Sequence, residues 1–200
     1  MKLAVKRHFQ KVDSILFEAS ERVGKLEEVV PRKPSEYFVS LCRNIIGQQL
    51  SGHAAHAVLG RFYGVFPRSS LRPKLLIAAS EEQLRGIGMS WAKARYLKDL
   101  AQKVESREVR LSKLSSFSDE EVAQELMKVK GVGRWTAEMF LMFSLAREDV
   151  FSAGDLGLRR GMEKVYGASE ISPEQAVSIS ASWSPYRSWG SRVLWKFLEI

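Results

Sequence analysis

Apolar residues recur at spacings of three and four along nearly the whole chain, which is the spacing of one face of an α-helix. No stretch alternates apolar and polar residues between hairpin turns, as a half-buried β-strand would. The pattern therefore predicts an all-α protein. Its first helix is predicted to run from about Phe9 to Leu26 and to end near Pro31 and Pro34, because proline opposes helical continuation.

Three helix starts are marked by a serine that is followed three residues later by glutamate or glutamine, the pattern of a capping box. The pairs are Ser80 with Gln83, Ser118 with Glu121, and Ser172 with Gln175. The predicted helices lie near residues 36–47, 53–63, 80–86, 91–105, 119–128, 134–146, 156–166, 173–182 and 187–198. No flexible linker separates them, so we expect two helical lobes packed on each other.

Composition and charge narrow the class of protein. The 200 residues include 31 Lys and Arg against 23 Asp and Glu, and the formal net charge of +8 favours a polyanion such as nucleic acid, although an anionic membrane surface also fits. No apolar run is long enough to span a membrane, and the N-terminal MKLAVKRHFQ lacks the apolar region of a signal peptide, so a cytoplasmic protein is expected. The single cysteine, Cys42, excludes internal disulfides and sites that need several thiolates, and its apolar neighbours predict a buried side chain.

The stretch KVKGVGRWTAEMF at residues 128–140 predicts a tight turn between two helices. Gly131 and Gly133 are expected to supply backbone angles that only glycine adopts at low cost, while Val132 points into the core. The turn's amides and the N-terminus of the next helix could then approach a phosphate oxygen, with Lys130 and Arg134 adding positive charge. The alternative is an ordinary helix-helix turn, and a weaker copy of the pattern occurs in LRGIGMSWAKARYL at residues 84–97.

Four ordered motifs carry a resemblance to a known family. They are IIGQQLS at 45–51, GMSWAKARYLKDLA at 88–101, the stretch from LMKVKGVGRWTAEMF to FSAGDLGLRRG at 126–161, and WSPYRSWGSRVLW at 183–195. Together they resemble the helix-hairpin-helix (HhH-GPD) DNA glycosylase superfamily, and the tryptophan after the hairpin is similar to its alkylpurine, or 3-methyladenine DNA glycosylase II, branch. The resemblance implies one unit with two lobes, residues 1–35 plus about 145–200 and residues about 36–144 with the hairpin, and an active-site cleft between them.

The same resemblance implies a function. A monofunctional DNA glycosylase of this branch hydrolyses the N-glycosidic bond of alkylated purines, 3-methyladenine and 7-methylguanine, in double-stranded DNA during base excision repair. It implies a monomer with no catalytic metal or cofactor, a structural monovalent cation at the hairpin, and a location with the DNA, at the nucleoid of a prokaryote or in a eukaryotic nucleus. The alternatives are a noncatalytic helix-hairpin-helix DNA-binding protein and an oxidised-base glycosylase with lyase activity.

Asp155 in FSAGDLGLRRG is the catalytic aspartate that the resemblance implies. A carboxylate there can stabilise the oxocarbenium-like sugar that forms as the base leaves, and it can orient or deprotonate the attacking water. Asp155 also has the sequence position of an N-cap for the helix that begins LGLRR, and the two roles are compatible. Asp149 and Glu138 are rival carboxylates, and both are expected on solvated helix surfaces or helix ends.

The resemblance also implies an aromatic pocket for the extruded base. Trp135 is its first wall and Trp195 the second, with Tyr186 as a further candidate. An alkylated purine with a positive charge gains a cation–π attraction on tryptophan that a normal base lacks. Met139, one helical turn from Trp135, stands where some relatives have an aromatic residue, and Gly154 stands where some have a second acid, so the range of substrates stays open.

The gap that an extruded nucleotide leaves must be filled by a wedge. By resemblance the wedge is formed by Gln48, Gln49 and Leu50.

His53 and His56 follow closely, but no third metal ligand accompanies them, so helix-surface histidines are expected. The resemblance also places Trp135 where family members that cut the DNA backbone carry a lysine, and it therefore implies a monofunctional enzyme.

Overall fold

The computed structural model describes residues 1–50 and 52–200; Ser51, the last residue of the IIGQQLS motif, lies outside the described residues. The described residues are helical, with no β-strand among them, as the spacing of apolar residues predicted. The α-helices are α1 (Leu3–Val12), α2 (Ser14–Arg22), α3 (Tyr37–Gly47), α4 (Gly52–Val65), α5 (Pro73–Ala78), α6 (Glu81–Gly86), α7 (Trp91–Glu105), α8 (Asp119–Met127), α9 (Arg134–Phe143), α10 (Leu156–Tyr166), α11 (Pro173–Ala181) and α12 (Arg187–Phe197). Two short 3-10 helices cover Pro34–Glu36 and Leu111–Ser116.

The three predicted capping boxes begin helices α6, α8 and α11. In each, the serine hydroxyl accepts a hydrogen bond from the backbone three residues on, and the glutamate or glutamine side chain accepts one from the serine backbone. A cap of this kind stabilises a helix by about 1 kcal/mol. Helix α9 is shorter than predicted and ends at Phe143, and the short α5 was not predicted.

The prediction of one helix from Phe9 to Leu26 is wrong, because the chain forms α1 and α2 with a break at Asp13. Asp13 has φ −158°, and its Oδ1 accepts the Leu16 N–H at 2.9 Å, so it caps α2. Its Oδ2 accepts hydrogen bonds from the Trp183 indole at 2.8 Å and from the Tyr166 hydroxyl. These two partners are distant in sequence, so apolar spacing could not reveal the break.

The chain divides into two compact units. The first contains Met1–Val30 and Ala146–Ile200, and the second contains Pro31–Leu145. In the first unit, α10 and α12 approach closely at Gly161, where a Cβ would lie 2.9 Å from the Leu194 carbonyl oxygen. Glycine is therefore needed at this crossing.

The first unit has an aromatic core. Trp183 is fully buried and Trp189 is 3% exposed, so both are core residues. Their indole N–H groups are satisfied by Asp13 and by Glu148, at 2.8 and 2.9 Å. Buried tryptophans of this kind stabilise the unit and are not available to a ligand.

In the second unit, α3 contacts α4, α7 and α9. Its buried face includes Leu41, Ile45 and Cys42, and the Tyr37 ring meets the Phe140 ring edge-on at 5.4 Å. Cys42 is fully buried, which confirms the prediction of a buried side chain, and this burial raises the pKa of its thiol. No helix in the described part of the chain is long and apolar enough to cross a bilayer.

Candidate functional site

The glycine turn joins α8 to α9. Gly131 has φ +77°, and a Cβ on it would lie 2.1 Å from the Tyr96 ring, so both the backbone angle and the packing require glycine there. Val132 is 5% exposed, which confirms that it points into the core. Its N–H donates to the Val129 carbonyl at 3.1 Å and closes the turn.

Gly133 differs from Gly131. Its φ of −97° and ψ of −179° are extended angles that any residue adopts, so the expectation that both glycines supply special angles is wrong for Gly133. A Cβ on Gly133 would meet no atom within 4 Å. The missing side chain therefore leaves open space at the N-cap of α9, where a helix N-terminus attracts anions.

Several polar groups of the turn are engaged within the protein. The Lys130 N–H donates to Asp99 Oδ2 at 2.8 Å. The Gln48 side-chain amide donates both to the Gly131 carbonyl and to the Thr136 hydroxyl, each at 2.9 Å. Gln48 thus fastens the C-terminus of α3 to the turn, a role that the sequence did not predict.

The turn after α3 is the place of the predicted wedge. Gln49 is exposed and has φ +55°, and Leu50 is 37% exposed. A left-handed, non-glycine residue is uncommon and marks a backbone held in place by its surroundings. Of the three predicted wedge residues, Gln49 and Leu50 lie at the surface, whereas the Gln48 amide is engaged with the glycine turn.

Lys93 supports the same turn from α7 and was not predicted. It is only 9% exposed, and its Nζ donates to the carbonyls of Ile46 and Gln48 at the C-terminus of α3, where a cation is favoured. Burial lowers the pKa of its ammonium group. The signal in the sequence was its position four residues before the buried Leu97, on the apolar face of α7.

Arg134 and the two rival carboxylates form ion pairs. Arg134 pairs with Glu120 and, at 3.1 Å, with Glu138, so its charge is already offset by two carboxylates. Asp149 lies outside the helices and accepts hydrogen bonds from Arg187 Nε at 2.7 Å and the Ser184 hydroxyl at 2.8 Å. Both carboxylates are partly exposed and engaged in ion pairs, Glu138 on helix α9 and Asp149 outside the helices.

A cavity of about 370 Å³ lies in the Pro31–Leu145 unit, between α9 and the α3–α4 pair. Trp135, Met139 and Phe143 form its α9 wall. Its other lining residues are Arg43, Asn44, Gly47, Gly52, Ala55, His56 and Leu59. The structure thus brings Trp135 and Met139 together, with Trp135 44% exposed at the cavity.

His56 lines the Trp135 cavity, while His53 precedes it in the first turns of α4. Within residues 1–50 and 52–200, no three His, Cys, Asp or Glu side chains are grouped so as to hold a metal ion.

Asp155 is in the other unit, where it caps α10. Its Oδ1 accepts the Leu158 N–H at 2.7 Å, which confirms the predicted N-cap, and the Trp195 indole N–H at 3.1 Å. A Cβ at Gly157 would lie 3.0 Å from Asp155 Oδ1 and 3.2 Å from Trp195 Nε1. The absence of a side chain at Gly157 therefore leaves room for the Asp155–Trp195 pair, which the structure brings together as two half-buried groups.

Tyr186 lies at the N-terminus of α12, in the same unit as Asp155. Its ring packs edge-on against the His8 ring at 5.3 Å. This contact gives Tyr186 a structural partner on α1 in addition to its predicted place in the base pocket.

Comparison with known proteins gives related glycosylases. The chain is 28% identical to a putative DNA-3-methyladenine glycosylase of Bacillus subtilis over 82% of its own length and 60% of that protein's length, so it spans less than two thirds of this relative. A crystal structure of a DNA-3-methyladenine glycosidase from Bacillus halodurans is 37% identical, with a TM-score of 0.81 over 98% of this chain and 88% of that one. The Schizosaccharomyces pombe 3-methyladenine DNA glycosylase in complex with abasic DNA is 27% identical, with a TM-score of 0.86 over 98% and 97% of the two chains.

A family model described as HhH-GPD superfamily base excision DNA repair protein matches residues 42–185. The matched region contains the glycine turn, Trp135 and Asp155. Because the match covers well over half of the chain, this protein belongs to the HhH-GPD superfamily of base excision DNA repair proteins.

Proposed function

We propose that this protein is a monofunctional DNA glycosylase that hydrolyses the N-glycosidic bond of alkylated purines, 3-methyladenine and 7-methylguanine, in double-stranded DNA. The observation that carries the proposal is the carboxylate of Asp155, which is fixed by the Leu158 N–H and the Trp195 indole in a chain of this superfamily. A carboxylate held by two donors keeps one orientation without rearranging during the reaction, as electrostatic catalysis requires.

Asp155 acts on the deoxyribose. As the bond from C1′ to the purine nitrogen breaks, the electron pair leaves with the base, and the sugar develops positive charge that the carboxylate stabilises. Water then adds its oxygen to C1′ and gives up a proton, which Asp155 accepts directly or passes on. An alkylated purine that already carries positive charge leaves as a neutral base, so the reaction needs little help from a general acid.

Trp135 and Met139 bind the extruded base. Their cavity of about 370 Å³ falls in the lower part of the range for small-ligand pockets, as suits a single purine. The electron-rich face of Trp135 attracts a cationic base more strongly than a neutral one. Trp195 and Tyr186 are the further aromatic groups of the proposal, and Trp195 has the additional task of orienting Asp155.

Trp135 also favours a single activity. Glycosylases that cut the DNA backbone form a Schiff base through a lysine amine, and this chain has an indole at the corresponding place after the glycine turn. We therefore expect no covalent adduct with DNA when the reaction is treated with borohydride. A borohydride-trapped adduct would instead support the lyase alternative.

The glycine turn binds the DNA backbone. Gly133 leaves open space at the N-terminus of α9, where the first N–H groups of that helix attract phosphate. The Lys130 side chain adds positive charge, while Gly131 and Val132 form the turn that precedes this N-terminus. Gln49 and Leu50, exposed in the turn after α3, form the wedge, and Gln48 holds that turn against the glycine turn. Arg134 is paired with Glu120 and Glu138, so these two carboxylates offset the positive charge that it brings to the turn.

The partner in this proposal is duplex DNA with alkylated bases, bound by a monomer, at the nucleoid in a prokaryote or in the nucleus of a eukaryote. A structural monovalent cation on the carbonyls of the glycine turn stays a prediction, and the Gly131 carbonyl already accepts the Gln48 amide.

The test is incubation of the protein with methylated duplex DNA, followed by chromatography of the released bases. We expect free 3-methyladenine and 7-methylguanine, with an abasic strand that stays uncut until alkali is added. If the wild-type protein binds this DNA but releases no base, it is a noncatalytic DNA-binding protein and the proposal is wrong.

A further inference from the structure

A second cavity, of about 360 Å³, lies in the Pro31–Leu145 unit and is rich in arginine. Its lining arginines are Arg32, Arg43, Arg68 and Arg72. Among the described residues that line it, Glu36 carries the single carboxylate, so positive groups outnumber negative ones by three. A concave surface of this charge is suited to an anion.

The guanidinium groups at the cavity are ordered by local contacts. Arg68 lies over the Tyr63 ring, 4.2 Å from its centroid, and Arg72 Nη1 donates to the Leu71 carbonyl at 2.8 Å. Each contact leaves other N–H groups of the planar guanidinium for a ligand, because the group carries five donors. Arginine in such an arrangement binds phosphate oxygens in pairs.

Glu36 offsets only part of this charge. Its Oε1 is 3.8 Å from Arg32 Nη1, and its Oε2 accepts the Lys33 N–H at 2.9 Å. Glu36 thus belongs to the 3-10 helix and to the Arg32 side of the cavity. The contacts of Arg68 and Arg72 described above are to an aromatic ring and to a backbone carbonyl, not to a carboxylate.

The arginine cavity and the Trp135 cavity share one lining residue. Arg43, on α3, lines both. Val39 and Ser40, in the N-terminal half of α3, line the arginine cavity. Asn44 and Gly47, in its C-terminal half, line the Trp135 cavity, and Gln48 after its end binds the glycine turn. At 1.5 Å per residue, the eleven residues of α3 span about 16 Å, which is a few nucleotides of a DNA strand.

We propose that the arginine cavity is a second phosphate-binding site, which takes DNA backbone phosphates beside the Trp135 cavity. The inference rests on the proposed function. The cavity holds DNA and does not take part in bond breaking. DNA is favoured over a free phosphate compound because the cavity adjoins the base cavity through Arg43 and lies on the same helix as the turn that carries the wedge.

The test measures binding of an undamaged duplex to the full-length protein by fluorescence anisotropy over a range of KCl concentrations. The variant is Arg68→Gln with Arg72→Gln, and the matched control is Lys74→Gln with Lys113→Gln, two exposed lysines of the same unit outside the cavity. Both pairs remove two charges. We expect the slope of log Kd against log salt to fall by 1 to 2, at about 0.9 per lost phosphate contact, only for the arginine pair.

A variant with Arg68→Lys and Arg72→Lys keeps the charge, and we expect it to retain most of the salt slope, which separates loss of charge from loss of folding. If the arginine pair gives the same slope and Kd as the lysine control, the inference is wrong. Replacing chloride by inorganic phosphate at equal ionic strength is the second arm. If phosphate weakens DNA binding of the wild type more than that of the arginine variant, DNA phosphates occupy the site. If phosphate raises the Tm of the wild type but not that of the variant while both keep the same salt slope for DNA, the site takes a free anion and DNA is not its occupant.

This test does not depend on catalysis. The duplex is undamaged and no base release is measured, so a protein that binds DNA through the arginine cavity but releases no base would contradict only the proposed function. An unchanged salt slope together with base release would contradict only the second phosphate site.

Discussion

Trp195 holds Asp155 through a hydrogen bond from its indole N–H to Oδ1, at 3.1 Å. The same oxygen accepts the Leu158 N–H at 2.7 Å, so the carboxylate that caps α10 is also fixed by an aromatic side chain of α12. Asp155 Oδ1 therefore caps the start of α10, and the same hydrogen bonds fix the orientation of the proposed catalytic group. The absence of a side chain at Gly157 leaves room for the Asp155 carboxylate and the Trp195 indole to meet.

The Trp195 hydrogen bond can be removed without removing the aromatic surface. In Trp195→Phe a smaller aromatic ring remains and the N–H donor is lost. We expect the single-turnover rate of base release to fall about 10-fold, corresponding to roughly 1.4 kcal/mol for an oriented hydrogen bond to a charged group. DNA affinity should change little. A rate equal to that of the wild type would show that Trp195 does not position Asp155.

The two glycines of the turn offer a matched pair of substitutions. Gly131→Ala forces a methyl group into the Tyr96 ring at φ +77°, so we expect a Tm lowered by several degrees, through a loss of about 1–3 kcal/mol. Gly133→Ala meets no atom of the protein, so its Tm should equal that of the wild type while DNA binding weakens. Thermal unfolding and anisotropy on both variants check this. Unchanged DNA binding in Gly133→Ala would contradict the close approach of the backbone to phosphate.

Gln48 and Gln49 are adjacent, but Gln48 is expected to stabilise the fold and Gln49 to act on the DNA. Gln48→Ala leaves the Gly131 carbonyl and the Thr136 hydroxyl without their partner, and we expect it to lower the free energy of unfolding by about 1–2 kcal/mol and to weaken DNA binding. Gln49→Ala should leave stability unchanged and reduce base extrusion, measured with 2-aminopurine fluorescence in the duplex. Equal effects of the two substitutions on stability would contradict this division of roles.

The pair of Asp149 and Arg187 makes stability depend on pH. Burial alone would raise the pKa of Asp149, but hydrogen bonds from Arg187 and Ser184 outweigh it and hold the pKa below its usual value. The carboxylate therefore stabilises the fold at pH values above about 4, its unfolded pKa, and this contribution is lost as the pH falls through the lower folded value. We expect Asp149→Asn to lower Tm at pH 7, with a difference from the wild type that shrinks in acid. A difference that is constant with pH would contradict the pairing.

Local chemistry made much of the fold predictable. Ser80, Ser118 and Ser172 each carry their capping partner three residues away, so those helix starts could be recognised in the sequence. The break at Asp13 could not, because Asp13 is bound by Trp183, which is 170 residues away along the chain.

In the candidate site, too, features set by nearby residues were predictable and features set by distant residues were not. The N-cap at Asp155 and the shared face of Trp135 and Met139 follow from local spacing. The Gln48 contact with Gly131 spans 83 residues and the Lys93 contact with Ile46 spans 47, and such contacts depend on tertiary packing. Gly133 shows the remaining limit: a glycine pattern does not reveal whether the backbone angle or the empty space is what requires glycine.

The most direct test of the central claim is base release by Asp155→Asn, which keeps an oxygen for the α10 cap and removes the negative charge. With methylated duplex DNA, we expect the wild type to release 3-methyladenine and 7-methylguanine, and the variant to be slower by about 10²–10³-fold while its DNA affinity stays within a few fold. Release by the variant at the wild-type rate would contradict the account.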